Sequence, residues 1–308
     1  MMDWLAGLAM QRLPIARGIA RNDGRMLLQS VARKLNLRAA HRKIVTHARW
    51  AARTRLRRTC APDVVLSLTS YPPRFHVLAL TLKSLLTQSV APSQTILWLA
   101  EGDTGALPAA VTRLVADGLT IRETADLKSY KKIIPALAAF PDKTIITADD
   151  DVFYPRHWLA ELTSSWDGNP HTIVCHRAHR LVTDGGGIAP YERWPHSVIS
   201  TEPDTAIVPT GAGGILYPRG SLSGEVADAA SFMSLAPTAD DLWLYWMGRR
   251  AGSRYITTRR PIKLVTWPQS QVNSLYASNM HGGNDRQIRN LVQKYGIPEQ
   301  SYPMNTAN

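Results

Sequence analysis

VVLSLTSYPPRFHVLALTLKSLLTQ, residues 64–88, reads as a strand that stops at a turn and resumes as a helix. Val64, Val65, Leu66 and Leu68 make a short apolar run of the kind that is buried in a sheet. Pro72 and Pro73 end it, because a proline ring fixes φ and removes the backbone donor that a sheet ladder needs. Beyond them Leu78, Leu82, Leu85 and Leu86 recur at helical spacing.

The same alternation continues outward. TILWLA (95–100) reads as a strand, 108–117 as a short helical segment, LTIRETA (119–125) as a strand, 127–139 as a lysine-containing helix and TIITADDD (144–151) as a strand. Parallel neighbours need crossover connections, and those crossovers are right-handed, so the pattern predicts an α/β, Rossmann-like fold: a mostly parallel central sheet with helices on both faces. Ligands in such sheets bind beyond the carboxyl ends of the strands. TSYPPR (69–74) and ADDD (148–151) follow strands at those ends and are expected to share one rim. Further on, a helix is expected over Pro155–Trp166, a strand over 171–182, helices near 224–234 and 239–250, a strand over 254–258 and a last helix over 284–295.

The net charge of +12 on 308 residues is localised. Residues 1–58 carry 14 Lys and Arg against 2 Asp, which leaves 22 basic and 22 acidic residues in 59–308. The division predicted is therefore a basic amphipathic N-terminal extension, 1–58, and a neutral domain, 59–308. Trp4, Leu8, Ile15, Ile19, Ile44, Ala48, Ala52 and Leu56 fall at roughly helical spacing among the arginines. No apolar run reaches the ~18 residues that cross a bilayer, and the start lacks the pattern of a secretory signal. A basic amphipathic arm suits an anionic membrane surface, and packing on the domain is the alternative. Nucleic acid is not an expected partner, since no basic patch interleaved with stacking aromatics follows the arm. Cys60 and Cys175 are too few and too far apart for a disulfide framework, so a reducing compartment is the default.

Three adjacent carboxylates, Asp149, Asp150 and Asp151, follow an apolar strand. On an extended strand Asp149 and Asp151 would point to one side and Asp150 to the other. Such a D-x-D pair offers two hard oxygen donors to Mg2+ or Mn2+, with phosphate oxygens and water completing the octahedron. A solvated acidic loop is the alternative. A haloacid-dehalogenase type of site also uses D-x-D, but there it usually follows the first strand, whereas here about four strands precede it.

The blocks SLTSYPPR (67–74), LKSYKKIIPAL (127–137), IITADDDV (145–152), PTGAGGILYP (209–218) and APTADDLWLYWM (236–247), in that order, resemble bacterial glycosyltransferases of the GT-A fold, family 2-like and DXD-containing. The resemblance covers about 63–285 and implies a metal-dependent transfer from a nucleoside diphosphate sugar, a UDP-sugar first, to a glycan or lipid-linked acceptor hydroxyl. A role in bacterial surface polysaccharide synthesis, in the cytoplasm or on the inner face of its membrane, goes with it.

The resemblance also implies roles. Thr69, Tyr71 and Arg74 would hold base, ribose and phosphate; Tyr71 has a stacking face and Arg74 a phosphate-binding fork. Lys128 and Lys131, with Lys132, fall on one face of the expected helix and would approach the nucleotide. Asp151 would ligate the metal, Asp149 the metal or ribose, and Asp150 the nucleotide-sugar. His281 in SNMHGGND would be the third ligand, with Asp285 as the alternative. Gly211, Gly213 and Gly214 would line the sugar pocket. Asp241, ahead of Asp240, would be the catalytic base, although TADD (238–241) also reads as a capping box led by Thr238.

Trp243, Tyr245 and Trp246 read as core. Trp194 and Trp267, in irregular segments, are the acceptor-stacking candidates, and His176, Arg177 and His179 are placed near the acceptor. Two other classes share these acids: a metal-dependent phosphatase or nucleotidyltransferase, for which the usual glycine-rich N-terminal signature is missing, and a non-catalytic nucleotide-sugar-binding protein.

Overall fold

A computed structural model of the chain describes residues 34–44, 59–260, 262–267, 270 and 282–298. Its strands are β1 (Thr59–Thr69), β2 (Val90–Ala100), β3 (Leu119–Thr124), β4 (Thr144–Ala148), β5 (Thr172–Cys175), β6 (Ala178–Arg180), β7 (Thr183–Asp184), β8 (Gly187–Ile188), β9 (Ile207–Pro209), β10 (Ile215–Tyr217) and β11 (Arg254–Thr257). Seven of them form one sheet in the order β11-β5-β10-β4-β1-β2-β3. β10 runs antiparallel to β4 and β5, and the other pairings are parallel. The expected mostly parallel α/β sheet is present.

Alternate residues of the strands feed two cores. Leu66 and Leu68 of β1, Leu97 and Leu99 of β2 and Ile146 of β4 pack with Leu78, Leu82 and Leu85 of helix Phe75–Leu86 and with Leu159 and Leu162 of helix Trp158–Ser165. On the other face, Val65, Ile96 and Ile145 meet Ala136, and Ile173, Ile215 and Tyr255 meet Trp243, Leu244 and Tyr245 of helix Asp240–Arg250. Period-two alternation thus buries both faces of one sheet, as a doubly covered parallel sheet requires. Helix Asn284–Tyr295 closes this second layer through Ile288 and Leu291.

Three local expectations are corrected. β4 ends at Ala148, so Asp149–Asp151 lie in a turn and the strand alternation does not apply to them. The lysine segment is a 3-10 turn, Lys128–Lys132, followed by helix Ile134–Ala139. Asp126 Oδ1 accepts from Lys128 N, which stands in the left-handed region at φ 53, and Pro135 supplies no donor to an earlier turn. The expected strand 171–182 is broken at His176 and Arg177 into β5 and β6, which belong to different sheets.

Residues 34–44 of the extension are helical. Ala40 and Ile44 are buried against Val77, Phe153 and Trp267 of the domain, and His41 meets the edge of Trp267 at 5.2 Å. The remaining arm positions named above lie outside the described residues. Among the described residues no helix is long and apolar enough to cross a membrane.

Candidate active site

A cleft of about 630 Å3 opens at the carboxyl ends of β1 and β4. Thr69, Ser70, Tyr71 and Arg74 line one wall, where the two prolines turn the chain out of β1. Lys128, Ser129, Lys131 and Lys132 come from the turn after β3, and Asp149, Asp150 and Asp151 from the turn after β4. Thr210, Ala212, Asp240 and Asp241 face them from the opposite layer. The TSYPPR and ADDD blocks therefore do share a rim.

Arg74 is the clamp of the acidic turn. Its Nη1 lies 3.0 Å from Asp150 Oδ1 and 2.7 Å from Asp151 Oδ2, while Ser70 Oγ donates to Asp150 Oδ2 at 2.6 Å. Asp150 and Asp151 thus serve one cation, and Asp149 turns to another. Lys132 Nζ sits 2.9 Å from Asp149 Oδ1 and 2.9 Å from Asp240 Oδ2, with its stem buried. The contact to Asp240 is an ion pair without hydrogen-bond alignment, which leaves that buried oxygen with no directed donor.

Asp241 does not cap its helix in the way the sequence allowed. Both its oxygens accept from Gly211 N at 3.0 Å, the helix begins on Ala239 with no side-chain cap, and Thr238 is bonded to Gln287. Gly211 leaves room for the charged groups around it: a Cβ there would lie 2.7 Å from Lys132 Nζ and 3.0 Å from Asp241 Oδ1 and would press on both. The loop can therefore bring a backbone N–H onto the carboxylate.

Charge in the cleft is short on the positive side. Burial, reinforced by neighbouring carboxylates and only partly offset by Arg74, pushes the Asp150 carboxyl up to about 7. Asp151 moves up for the same reasons. Burial and Asp240 raise Asp241 to about 7, against the pull of Lys132. Burial alone would lower the Lys132 ammonium, but Asp149, Asp240 and Asp241 outweigh it and hold it well above the usual lysine range.

This donor set fits a divalent cation. Asp149 and Asp151 offer hard carboxylate oxygens in one turn, and Asp150 and Asp151 are raised by burial first and by neighbouring carboxylates after it. Among the described residues no group of three or more His, Cys, Asp or Glu is placed to hold a metal ion, so Asp149 and Asp151 would need a further ligand. His281 lies outside the described residues. Asp285, the alternative third ligand, is bonded instead to Tyr191 N through Oδ1 at 2.8 Å.

The other sequence candidates divide. Thr69, Tyr71, Lys128, Lys131, Arg177 and His179 line the cleft, and Lys131 is held there by Asp126. Gly211, Gly213 and Gly214 do not line it: Gly211 is turned to Asp241, a Cβ on Gly213 would strike Arg177, and one on Gly214 would strike the Trp158 ring. Trp194 and Trp267 are not platforms but core, their indole N–H groups bonded to Ala189 O and Thr81 Oγ1. His176 is buried between Trp158 O and Thr258 Oγ1, and burial lowers it to about 4. Trp243, Tyr245 and Trp246 are core, as read.

Sequence reasoning missed Ser70, Tyr191 and Asn284 in the wall, and saw Lys132 only as one member of a lysine face. A second Lys directly beside Lys131, in a segment leading to the acids, was the available signal.

No family model and no curated protein matches the chain. Solved structures with a similar arrangement include GalNAc-T7 with UDP, GalNAc and Mn2+, 10% identical over 65% of this chain and 42% of that one, TM-score 0.43. Glucosyl-3-phosphoglycerate synthase from Mycobacterium tuberculosis in complex with phosphoglyceric acid is 15% identical over 79% of this chain and 81% of that one, TM-score 0.36. 2-C-Methyl-D-erythritol 4-phosphate cytidylyltransferase from Thermus thermophilus is 16% identical over 70% and 98%, TM-score 0.39. Likenesses this distant leave the chemistry to be read from the residues.

Proposed function

We propose that the chain is a metal-dependent glycosyltransferase that moves a sugar from a nucleoside diphosphate sugar, a UDP-sugar first, to a hydroxyl of a glycan or lipid-linked acceptor. The observation that carries this reading is the pair of acidic centres facing each other across one cleft, Asp149–Asp151 and Asp240–Asp241, with the buried Lys132 between them.

In this reading Tyr71 stacks on the base, Thr69 and Asp150 face the ribose side, and Arg74, Lys128 and Lys131 surround the phosphates. Asp149 and Asp151 hold Mn2+ or Mg2+, which when bound neutralises the leaving diphosphate. His281 is the third ligand proposed. Asp241, aimed by Gly211, takes the proton of the acceptor hydroxyl as that oxygen attacks the anomeric carbon. A carboxyl at about 7 is matched to that task near neutral pH. Lys132 keeps Asp149 and Asp240 at fixed separation, so donor and base keep one geometry.

The domain proposed is 59–308, with 1–58 an extension whose basic residues outside the 34–44 contact meet the anionic inner face of the cytoplasmic membrane; surface polysaccharide synthesis is the process this location fits. A thermal-shift screen of nucleotide sugars with and without Mn2+ tests the reading, because a ligand that binds only the native state raises its melting temperature. Stabilisation by a UDP-sugar that needs Mn2+ and disappears in Asp151→Asn is the expected result. A metal-independent response, or turnover that releases nucleotide and pyrophosphate from a nucleoside triphosphate, would sink it.

A further inference from the structure

Every cation of the cleft but two is paired with a carboxylate. Arg74 holds Asp150 and Asp151, Lys131 holds Asp126, and Lys132 holds Asp149 and Asp240. Among the described residues, Lys128 and Arg177 line the cleft with no carboxylate in ion-pair range. Lys128 is exposed at the rim beside the nucleotide wall, where solvent satisfies it. Arg177 is half-buried at the other end, and its one hydrogen bond from the guanidinium runs from Nη1 to Thr210 Oγ1 at 2.8 Å. A guanidinium has five donors in a planar fork, and with Nη1 on Thr210 the rest are open to an anion that enters the cleft.

The surroundings of Arg177 are those of a carbohydrate subsite. The next wall residue along the chain, His179 of β6, stacks on His196 with ring centroids 4.1 Å apart and meets Tyr191 edge-on at 5.7 Å. Ser197 N donates to His179 Nδ1 at 3.2 Å, and burial with the nearby Arg177 lowers this imidazole to about 3, so the neutral ring keeps its proton on Nε2 as a donor. Tyr191 is half-buried and lines the cleft, an amphipathic ring suited to one face of a sugar. Contacts tie Arg177 to the proposed base: Arg177 Nη1 donates to Thr210 Oγ1, and the next residue, Gly211, donates its N–H to Asp241. Arg177 therefore lines the cleft close to the loop that aims that acid.

We propose that Arg177, Tyr191 and His179 form the acceptor subsite, and that the acceptor sugar carries an anionic substituent, a carboxylate or a phosphate, which the unpaired Arg177 guanidinium binds. This deepens the transferase reading above and rests on it only in calling the bound saccharide the acceptor. The competing account is that Arg177 merely pins the glycine loop, since Thr210 N also donates to Arg177 O at 2.9 Å. That backbone bond survives a change of side chain, so the two accounts separate.

The test is calorimetric titration of the full chain, in the presence of UDP and Mg2+, with methyl glucoside, methyl glucuronide and glucose 6-phosphate. The wild type is expected to bind the glucuronide or the phosphate about tenfold more tightly than the glucoside, the usual return on a charge-assisted hydrogen bond; which of the two is preferred identifies the anion. Arg177→Gln should erase that preference while leaving the glucoside affinity and the melting temperature unchanged, and Tyr191→Ala should weaken all three alike. Equal affinity for charged and neutral probes, no binding of any probe, or an Arg177→Gln variant that loses UDP instead of the anionic saccharide would overturn the proposal. Failure of the transferase reading shows separately, as absence of metal-linked UDP binding with the saccharide preference intact.

Discussion

The backbone N–H of Gly211 stands 3.0 Å from both carboxylate oxygens of Asp241, so the loop ahead of β10 aims the acid that the cleft presents to an acceptor. A side chain at 211 would occupy the space of Lys132 Nζ, 2.7 Å away. Because the obstacle is the end of a flexible side chain, Gly211→Ala should fold normally, with the lysine end shifted but still paired to its two acids. Misplacing reacting groups by about 1 Å costs on the order of 100-fold in rate. The expectation is a loss of about that size in kcat with the melting temperature within a few degrees of wild type, measured on the same preparation.

Among the described residues Lys132 is the one buried ammonium shared by both acidic centres. Removing a partner from a buried ion pair leaves uncompensated charge and typically costs about 3–5 kcal/mol. Lys132→Met should lose stability on that scale in urea unfolding at pH 8, where Asp149 and Asp240 are left facing each other. The double variant Lys132→Met/Asp240→Asn should regain part of it, since it removes one of the stranded charges. An additive or larger loss in the double variant would show that Lys132 acts through packing alone.

A buried histidine makes the fold acid-sensitive. His176 is buried between Trp158 O and Thr258 Oγ1, and burial lowers it from 6.5 to about 4. In the unfolded chain it protonates as pH falls through 6.5, whereas in the folded chain it stays neutral until about 4, so the unfolded state gains protons first. Stability from this group is complete above the unfolded value and declines as pH falls towards the folded one. Between pH 7 and pH 5 the loss is about 2 kcal/mol. Asp150 and Asp241, raised from 3.8 to about 7, act with the opposite sign over the same window. Comparison with His176→Asn isolates the histidine: the stability gap between wild type and variant should narrow by about 2 kcal/mol on going from pH 7 to pH 5. A gap that stays constant would mean that the ring titrates alike in the folded and unfolded chain.

The sheet was legible because strand and helix periods are local properties. Leu78, Leu82 and Leu85 announce their helix in any context, and they are core in the fold. The acids and lysines were legible as types but not as partners. Asp150 and Asp151 share Arg74 because β4 stops at Ala148, and that stop depends on a turn held by Ser70 and Arg74, some 76–80 residues away in sequence. Lys128 and Lys132 do not share a face because Asp126 and Pro135 break the helix that their spacing implied. Trp194 and Trp267 looked available because they sit in irregular segments, yet irregular backbone can still be packed, and each indole is buried with its N–H bonded. Pair identity over such separations is set by topology, which no local pattern carries.

Ile44 links the extension to the acidic turn through Trp267. It is buried with Ala40 against Trp267, Val77 and Phe153, and Trp267 N donates to Asp151 O at 2.9 Å while its indole N–H reaches Thr81 Oγ1 at 2.8 Å. Phe153 N in turn donates to Val265 O at 2.9 Å, so the 34–44 helix braces both backbone segments that hold Asp151 in place. Truncating a buried isoleucine to alanine costs about 2–5 kcal/mol, from lost burial and the cavity left behind. Ile44→Ala should therefore lower stability within that range and, unlike an independent tail, also weaken Mn2+-linked nucleotide binding, because Trp267, whose backbone N–H holds Asp151 O, loses the cover of its ring. Leu35, exposed at 58% on the same helix, provides the control: Leu35→Ser should leave both quantities unchanged. Nucleotide affinity unaltered in a destabilised Ile44→Ala would confine the extension to a role in stability, whereas a loss in both would make residues 34–44 a working part of the site.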